Sequence, residues 1–143
     1  MKNTAKKLNE LVKICNDGKD FYRKGAEDVN NPELKNLFTI MANAREKAID
    51  DMEPFIDGRG YEVEENGTVS GTLRQGYASM QKLFRDDEKV LIEQLEEVED
   101  KTLEAFEDAM HDDVPPNINA VIASNFTTFK ETHQTMRNLK QSL

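Results

Sequence analysis

In four separate stretches of the chain, apolar residues recur at alternating three- and four-residue steps, the spacing that puts them on one stripe of an α-helix. The first stretch runs Leu8, Leu11, Cys15, Gly18, Tyr22, Gly25, Val29 and predicts a helix over about residues 5–29. The second reads Leu34, Leu37 or Phe38, Met41, Arg45, Ala48, Met52. It opens at VNNPEL, where Asn31 can cap and Pro32 can take the first helical position, whose N–H has no helical partner anyway. Pro54 and the DGRG that follows shortly after predict a stop near residues 53–57. The third stretch starts at RDDEKV, whose Asp86, Asp87 and Glu88 suit the positive end of a helix dipole. It continues through Leu91, Leu95, Val98, Thr102, Phe106 and Met110 and ends by His111. DDVPPNI then breaks the chain, and the fourth stretch carries Ile118, Ile122, Phe126, Phe129, His133, Met136 and Leu139 or Lys140.

The links between these helices set the topology. Two or three residues join the first helix to the second, which makes them antiparallel neighbours. Residues 58–71 are polar and glycine-bearing, with no helical period, and read as a loop. A short helix follows, from about Ser70 as cap to Phe84, with Leu73, Tyr77, Met80 and Phe84 on one side. Loop and short helix together are long enough to run the length of the other helices. Four long amphipathic helices with one long crossover between the second and third match the ferritin-like arrangement of four-helix bundles. The expectation is an all-α fold, a single domain over residues 1–143. Composition agrees, since Trp is absent and Gly and Pro number 7 and 4. Gly18 and Gly25 each cost roughly 1 kcal/mol of helix propensity relative to Ala. They share a face, which points to close approach by another helix or a bulky side chain.

Charge and hydropathy narrow the function. A net charge of −9 argues against nucleic-acid partners, whose phosphates are held mainly by clustered Lys and Arg. No apolar run approaches a membrane span, and MKNTAKKLNE leads into an amphipathic helix rather than a signal-peptide core. The expectation is a cytoplasmic protein with no membrane partner. Cys15, the lone cysteine, lies on the apolar side of its helix and reads as a buried reduced thiol. There is no Gly-rich phosphate loop, no Cys-x-x-Cys and no Ser/His/Asp set, so no catalytic residue is expected. The acids of EQLEEVEDKTLEAFED read as a solvated face, and Tyr22, Tyr61 and Tyr77 as core fillers.

The runs DGKDFYRKGAEDVNNPELKNLF, EVEDKTLEAFEDAM, DVPPNI and THQTMRNL resemble a bacterial family of uncharacterised ferritin-like four-helix-bundle proteins, over nearly the whole chain. The resemblance implies a cytoplasmic bacterial bundle, discussed beside stress-linked relatives, with no established reaction. The chain departs from the family pattern at three places. Val98 stands where a glycine often precedes the glutamate of the third long helix, Gln134 stands where an acid often follows the histidine, and the crossover has no tryptophan.

A ferritin-like di-metal centre needs a Glu from each of two helices and a Glu-x-x-His pair on the others. The two histidines are His111 and His133. Lys130 stands three residues before His133, and the second helix has no histidine. In the register of ferritin-like relatives, Arg45 takes the place of that helix's first glutamate and Ala48 the place of its histidine. A guanidinium cannot ligate a metal. Asp108 and His111 are one turn apart at a helix end, where an imidazolium serves the dipole. No metal or other cofactor is therefore expected, and the remaining donors for iron or manganese are Asp20, Glu99 and His133.

His133 lies on the apolar stripe, and a lone core histidine is more often satisfied by a hydrogen bond than by a metal. The antiparallel register brings Asp17 and Asp20 toward Arg45, and sets Glu99 and His133 at similar depth. The expected buried polar network is Arg45 paired with Glu99 or an acid of the first helix, completed by His133 or Tyr22. The alternative is that Arg45 runs its aliphatic stem out to solvent. Three functions stay open: a non-catalytic structural or interaction protein, stress-related; a carboxylate/His metal-binding protein or oxidase; and a homo-oligomer, such as a dimer, joined through a spare face of the crossover helix with Tyr77 and Phe84.

Overall fold

The structure, a computed structural model, describes residues 2–56 and 69–143. Among them are five α-helices: α1 (Lys2–Asp28), α2 (Pro32–Ile56), α3 (Val69–Met80), α4 (Glu88–His111) and α5 (Pro116–Lys140). A single 3-10 turn, Gln81–Leu83, follows α3, and the described residues contain no strand. Tyr61 and most of the expected loop at 58–71 lie outside the described residues.

Local chemistry explains where the helices begin and end. The Asn31 side chain accepts from Glu33 N at 2.9 Å and Leu34 N at 3.3 Å, the orphan donors of a first turn. Asp87 does the same for α4, accepting from Val90 N at 3.1 Å. Pro54 lies in the last turn of α2, which stops two residues later. The short helix differs from expectation: it starts at Val69, so Ser70 is a buried member and not its cap. It ends at Met80, where the tighter 3-10 turn takes over.

Contacts at the ends of the helices set their directions. Arg85 Nε donates to Asp28 O at 3.0 Å, and Asn31 N donates to Glu88 Oε2 at 3.1 Å. The end of α1 and the starts of α2 and α4 therefore meet. At the opposite end Lys7 of α1 pairs with Asp112, just past α4. α2 and α4 thus run one way and α1 and α5 the other, and the chain between α2 and α4 must travel the length of the helices. α1 packs on α2, α2 on α5 and α5 on α4, while α3 fits against α1 and α4.

One apolar cluster draws on all five helices. At its centre the rings of Phe21, Tyr22, Phe38, Tyr77 and Phe84 interlock, with centroids 4.9 Å apart for Phe21–Tyr77, 5.0 Å for Phe21–Phe84 and 5.3 Å for Tyr22–Phe38. Tyr77 and Phe84 are buried here. They are not the spare face expected for self-association. On α5 the buried stripe takes Asn125 in place of the expected Phe126, whose partly buried ring carries Lys130 Nζ at 5.4 Å. Among the described residues no helix is long and apolar enough to cross a membrane.

The stripe of α1 needs its glycine at position 25. A Cβ there would stand 2.6 Å and 2.7 Å from two ring carbons of Phe38, and 3.1 Å from Phe84. Both rings are buried against other rings, so neither can swing aside. Gly25→Ala gains roughly 1 kcal/mol of helix propensity, but overpacking of this kind costs about 1–3 kcal/mol or more. We expect a lower urea midpoint for Gly25→Ala; a raised midpoint would show that the ring cluster is loosely packed.

Candidate functional site

The stripe of α2 carries Arg45 inward between Met41 and Ala48, and only 1 % of the residue is exposed. Across the core, α4 presents Glu99, 3 % exposed, between Leu95 and Thr102. Arg45 Nη2 donates to Glu99 Oε2. Tyr22 of α1 donates its hydroxyl to the other carboxylate oxygen, Oε1. The guanidinium carbon lies 4.5 Å from the centroid of the Phe129 ring on α5, a cation–π contact. Gly18 makes the space on the side of α1, since a Cβ there would stand 3.4 Å from Arg45 Nε and 3.0 Å from Tyr77 Oη. α1, α3, α4 and α5 thus each contribute one residue or more to the surroundings of a single cation carried by α2.

Burial and charge shift the groups around it. Burial is the largest single effect on Arg45 and disfavours its charge, but Glu99, with Tyr77, Tyr22 and Cys15 adding to it, outweighs burial and holds the guanidinium protonated. Burial also pushes the Tyr22 hydroxyl up, and the Glu99 carboxylate beside it adds to the effect. The Cys15 thiol is pushed by burial up to about 11, against the pull of Arg45. Tyr77 rises too, again mainly through burial. The site therefore holds one cation, one carboxylate and neutral neighbours.

Other residues expected in the network lie elsewhere. Asp17 is turned to α3, where Arg74 Nε and Nη2 reach its carboxylate at 3.1 Å and 3.2 Å. Asp20 is exposed. Both fall off the buried stripe of α1, so their depth along the helix does not bring them to Arg45. His133 is buried, but its Nε2 stands 3.1 Å from Asp100 Oδ1 and not against Glu99. Asp100 follows Glu99 by one residue, about 100° around the helix, and that step carries it from core to surface. His111 is exposed at the end of α4. Phe129, Tyr77 and Cys15 stand at the site without having been expected there. Their only sequence signal is that each lies on an apolar stripe.

Iron or manganese does not fit this donor set. Both oxygens of Glu99 are taken by Arg45 and Tyr22, Asp20 is exposed, and His133 is turned to Asp100. Among the described residues no group of three or more His, Cys, Asp or Glu is placed to hold a metal ion.

Fold and site together define an all-α protein built round a buried arginine–glutamate–tyrosine centre. Residues 3–112 match the family described as a domain of unknown function, DUF2383, and the chain belongs to that family. The matched span includes Tyr22, Arg45 and Glu99 and ends before α5, which brings Phe129 and His133. No curated protein matches the chain.

Two measurements probe the centre. Removing one member of a buried ion pair strands the other charge and costs about 3–5 kcal/mol, whereas replacing both can be nearly neutral. Arg45→Met and Glu99→Gln should therefore each lower stability by an amount in that range. The double variant should lose well under the sum in a double-mutant cycle read by urea unfolding, and additive losses would mean the two side chains do not interact. The second measurement is pH. Cys15, Tyr22 and Tyr77 all titrate higher in the folded state, so the unfolded chain gives up protons first as pH rises. Their contribution is complete below about pH 9 and declines as pH climbs toward and past 11, with Cys15 alone accounting for about 2 kcal/mol at pH 11. Urea midpoints from pH 8 to 11 should fall, and Cys15→Ala should flatten part of the fall.

Proposed function

We propose that the chain is a ferritin-like four-helix bundle whose centre is closed by a salt bridge in place of a metal, and that it serves as a non-catalytic structural or interaction protein. The observation that carries this reading is the Arg45 guanidinium, buried mid-core and held on Glu99. In ferritin-like di-metal proteins inward carboxylates converge on cations; here a cation supplied by the chain meets one carboxylate. The directions of α1, α2, α4 and α5, with a crossover between the second and third long helices, support the ferritin-like assignment. A reducing, cytoplasmic setting suits the free buried thiol of Cys15. A bacterial, stress-related role rests on the family resemblance alone.

The test is metal binding by protein purified without chelator. Elemental analysis followed by anaerobic titration with Fe(II), and separately with Mn(II), should show no stoichiometric, saturable site. One or two equivalents bound tightly, and lost in Glu99→Ala or His133→Ala, would replace this reading with that of a metal-binding protein.

A further inference from the structure

We propose that α3 is a cover over the Arg45 centre, one that lifts as a unit while the four long helices stay packed. Four features of the helix lead to this. Over the described residues α3 has 12 residues, at the lower edge of the length at which an isolated helix holds together, roughly 12–15 residues. It also carries Gly71 and Gly76 in its interior and the β-branched Val69 and Thr72, so its helical form depends on packing. The long helices have 24 to 27 residues each and pack in sequence, α1 on α2, α2 on α5 and α5 on α4, through contacts that do not involve α3. The apolar hold of α3 itself is Leu73, Tyr77 and Met80 against α1 and α4.

The closed position also buries two polar side chains beside α1. Tyr77 and Arg45 are both buried, and both side chains border Gly18. Thr102 of α4 donates its hydroxyl to Val98 O, and its oxygen accepts from the Tyr77 hydroxyl. Arg45 also hydrogen-bonds the Cys15 thiol, a weak acceptor. The Arg45–Glu99 and Tyr22–Glu99 bonds join α1, α2 and α4 and survive the movement. A helix of low intrinsic propensity, on which the packing of the long helices against one another does not depend, is where local opening below the global unfolding free energy is found.

Cys15 supplies the probe. Arg74 of α3 meets Asp17, Tyr77 meets Gly18 and Phe84 meets Gly25, so α3 runs alongside α1 in the same direction with Leu73 at the level of Cys15. The thiol is fully buried and cannot meet a reagent while α3 is down. In native buffer N-ethylmaleimide should label Cys15 at a rate nearly independent of low urea. Deuterium exchange should show the α3 amides opening together, ahead of the interior amides of α1, α2, α4 and α5. Leu73→Ala should speed labelling by about tenfold or more, while Ile122→Ala on α5 should speed it far less at equal loss of global stability. If labelling follows the steep urea dependence of global unfolding, or if Ile122→Ala speeds it as much as Leu73→Ala, then α3 is no cover. Should Leu73→Ala not fold, the wild-type urea dependence and the exchange order decide alone.

Discussion

A guanidinium sealed inside a protein cannot shed its proton, so whatever surrounds Arg45 has to accept a full charge. Glu99 does so from the opposite side of the core, and the bond between them ties α2 to α4, two helices that face each other across the interior. Sliding either helix by one residue would move its side chain about 1.5 Å along the axis and 100° around it. That would leave one charge among aromatic rings. The penalty for a stranded buried charge far exceeds that for a misplaced Leu or Val. The pair therefore discriminates between helix registers more sharply than the apolar surface around it, whatever its net contribution to stability.

The shape of the core follows from making room for that pair. Gly18 withholds a side chain where the guanidinium and Tyr77 come close, and Gly25, two turns on, does the same for the Phe38 ring. Both glycines weaken α1 as an isolated helix. The aromatic rings seated against that face restore apolar contact, and Tyr22 adds a hydroxyl that completes Glu99. Phe129 covers the guanidinium from α5 and meets Phe106 edge-on at 5.0 Å. α5 thus acts on the charge through a ring face, and its own polar residue at this level, His133, belongs to a separate contact with Asp100.

The helices could be read from the chain because each announces itself several times over. Asn31, Pro32, Asp87 and the Pro115–Pro116 pair mark boundaries by mechanisms that act locally, and the apolar stripes repeat for five or six turns. Arg45 and Tyr22 could be named for the same reason, since both stand at stripe positions. What failed was angle. Depth along a helix follows from counting residues, but Asp17, Asp20, Glu99 and Asp100 differ mainly in direction around the axis, and an acid one place off a stripe looks as available as one on it. The partner of α3 was illegible for another reason: a short helix in a long connection has no register fixed by a tight turn. Tyr77 accordingly read as a core filler or as part of a spare face, with nothing to place it beside Arg45, where Gly18 brings it.

Charge balance gives the arrangement its bearing on chemistry. Among the described residues Glu99 is the one buried carboxylate and Arg45 the one buried residue with a permanent positive charge, so the interior is neutral as it stands. A divalent ion placed beside Glu99 would add two positive charges to a region already holding a guanidinium, in a setting where such repulsion is poorly screened. Accommodating it would require Arg45 to leave and at least one more acid to turn inward. The acids of α4 nearest in sequence, Glu96, Glu97 and Asp100, lie on its other faces; Glu96 is held by Lys140 at 3.1 Å and Asp100 stands against His133. Exchange of arginine for metal would thus be a rearrangement of three helices and not a substitution at one site, which makes the two states alternatives a single sequence does not easily share.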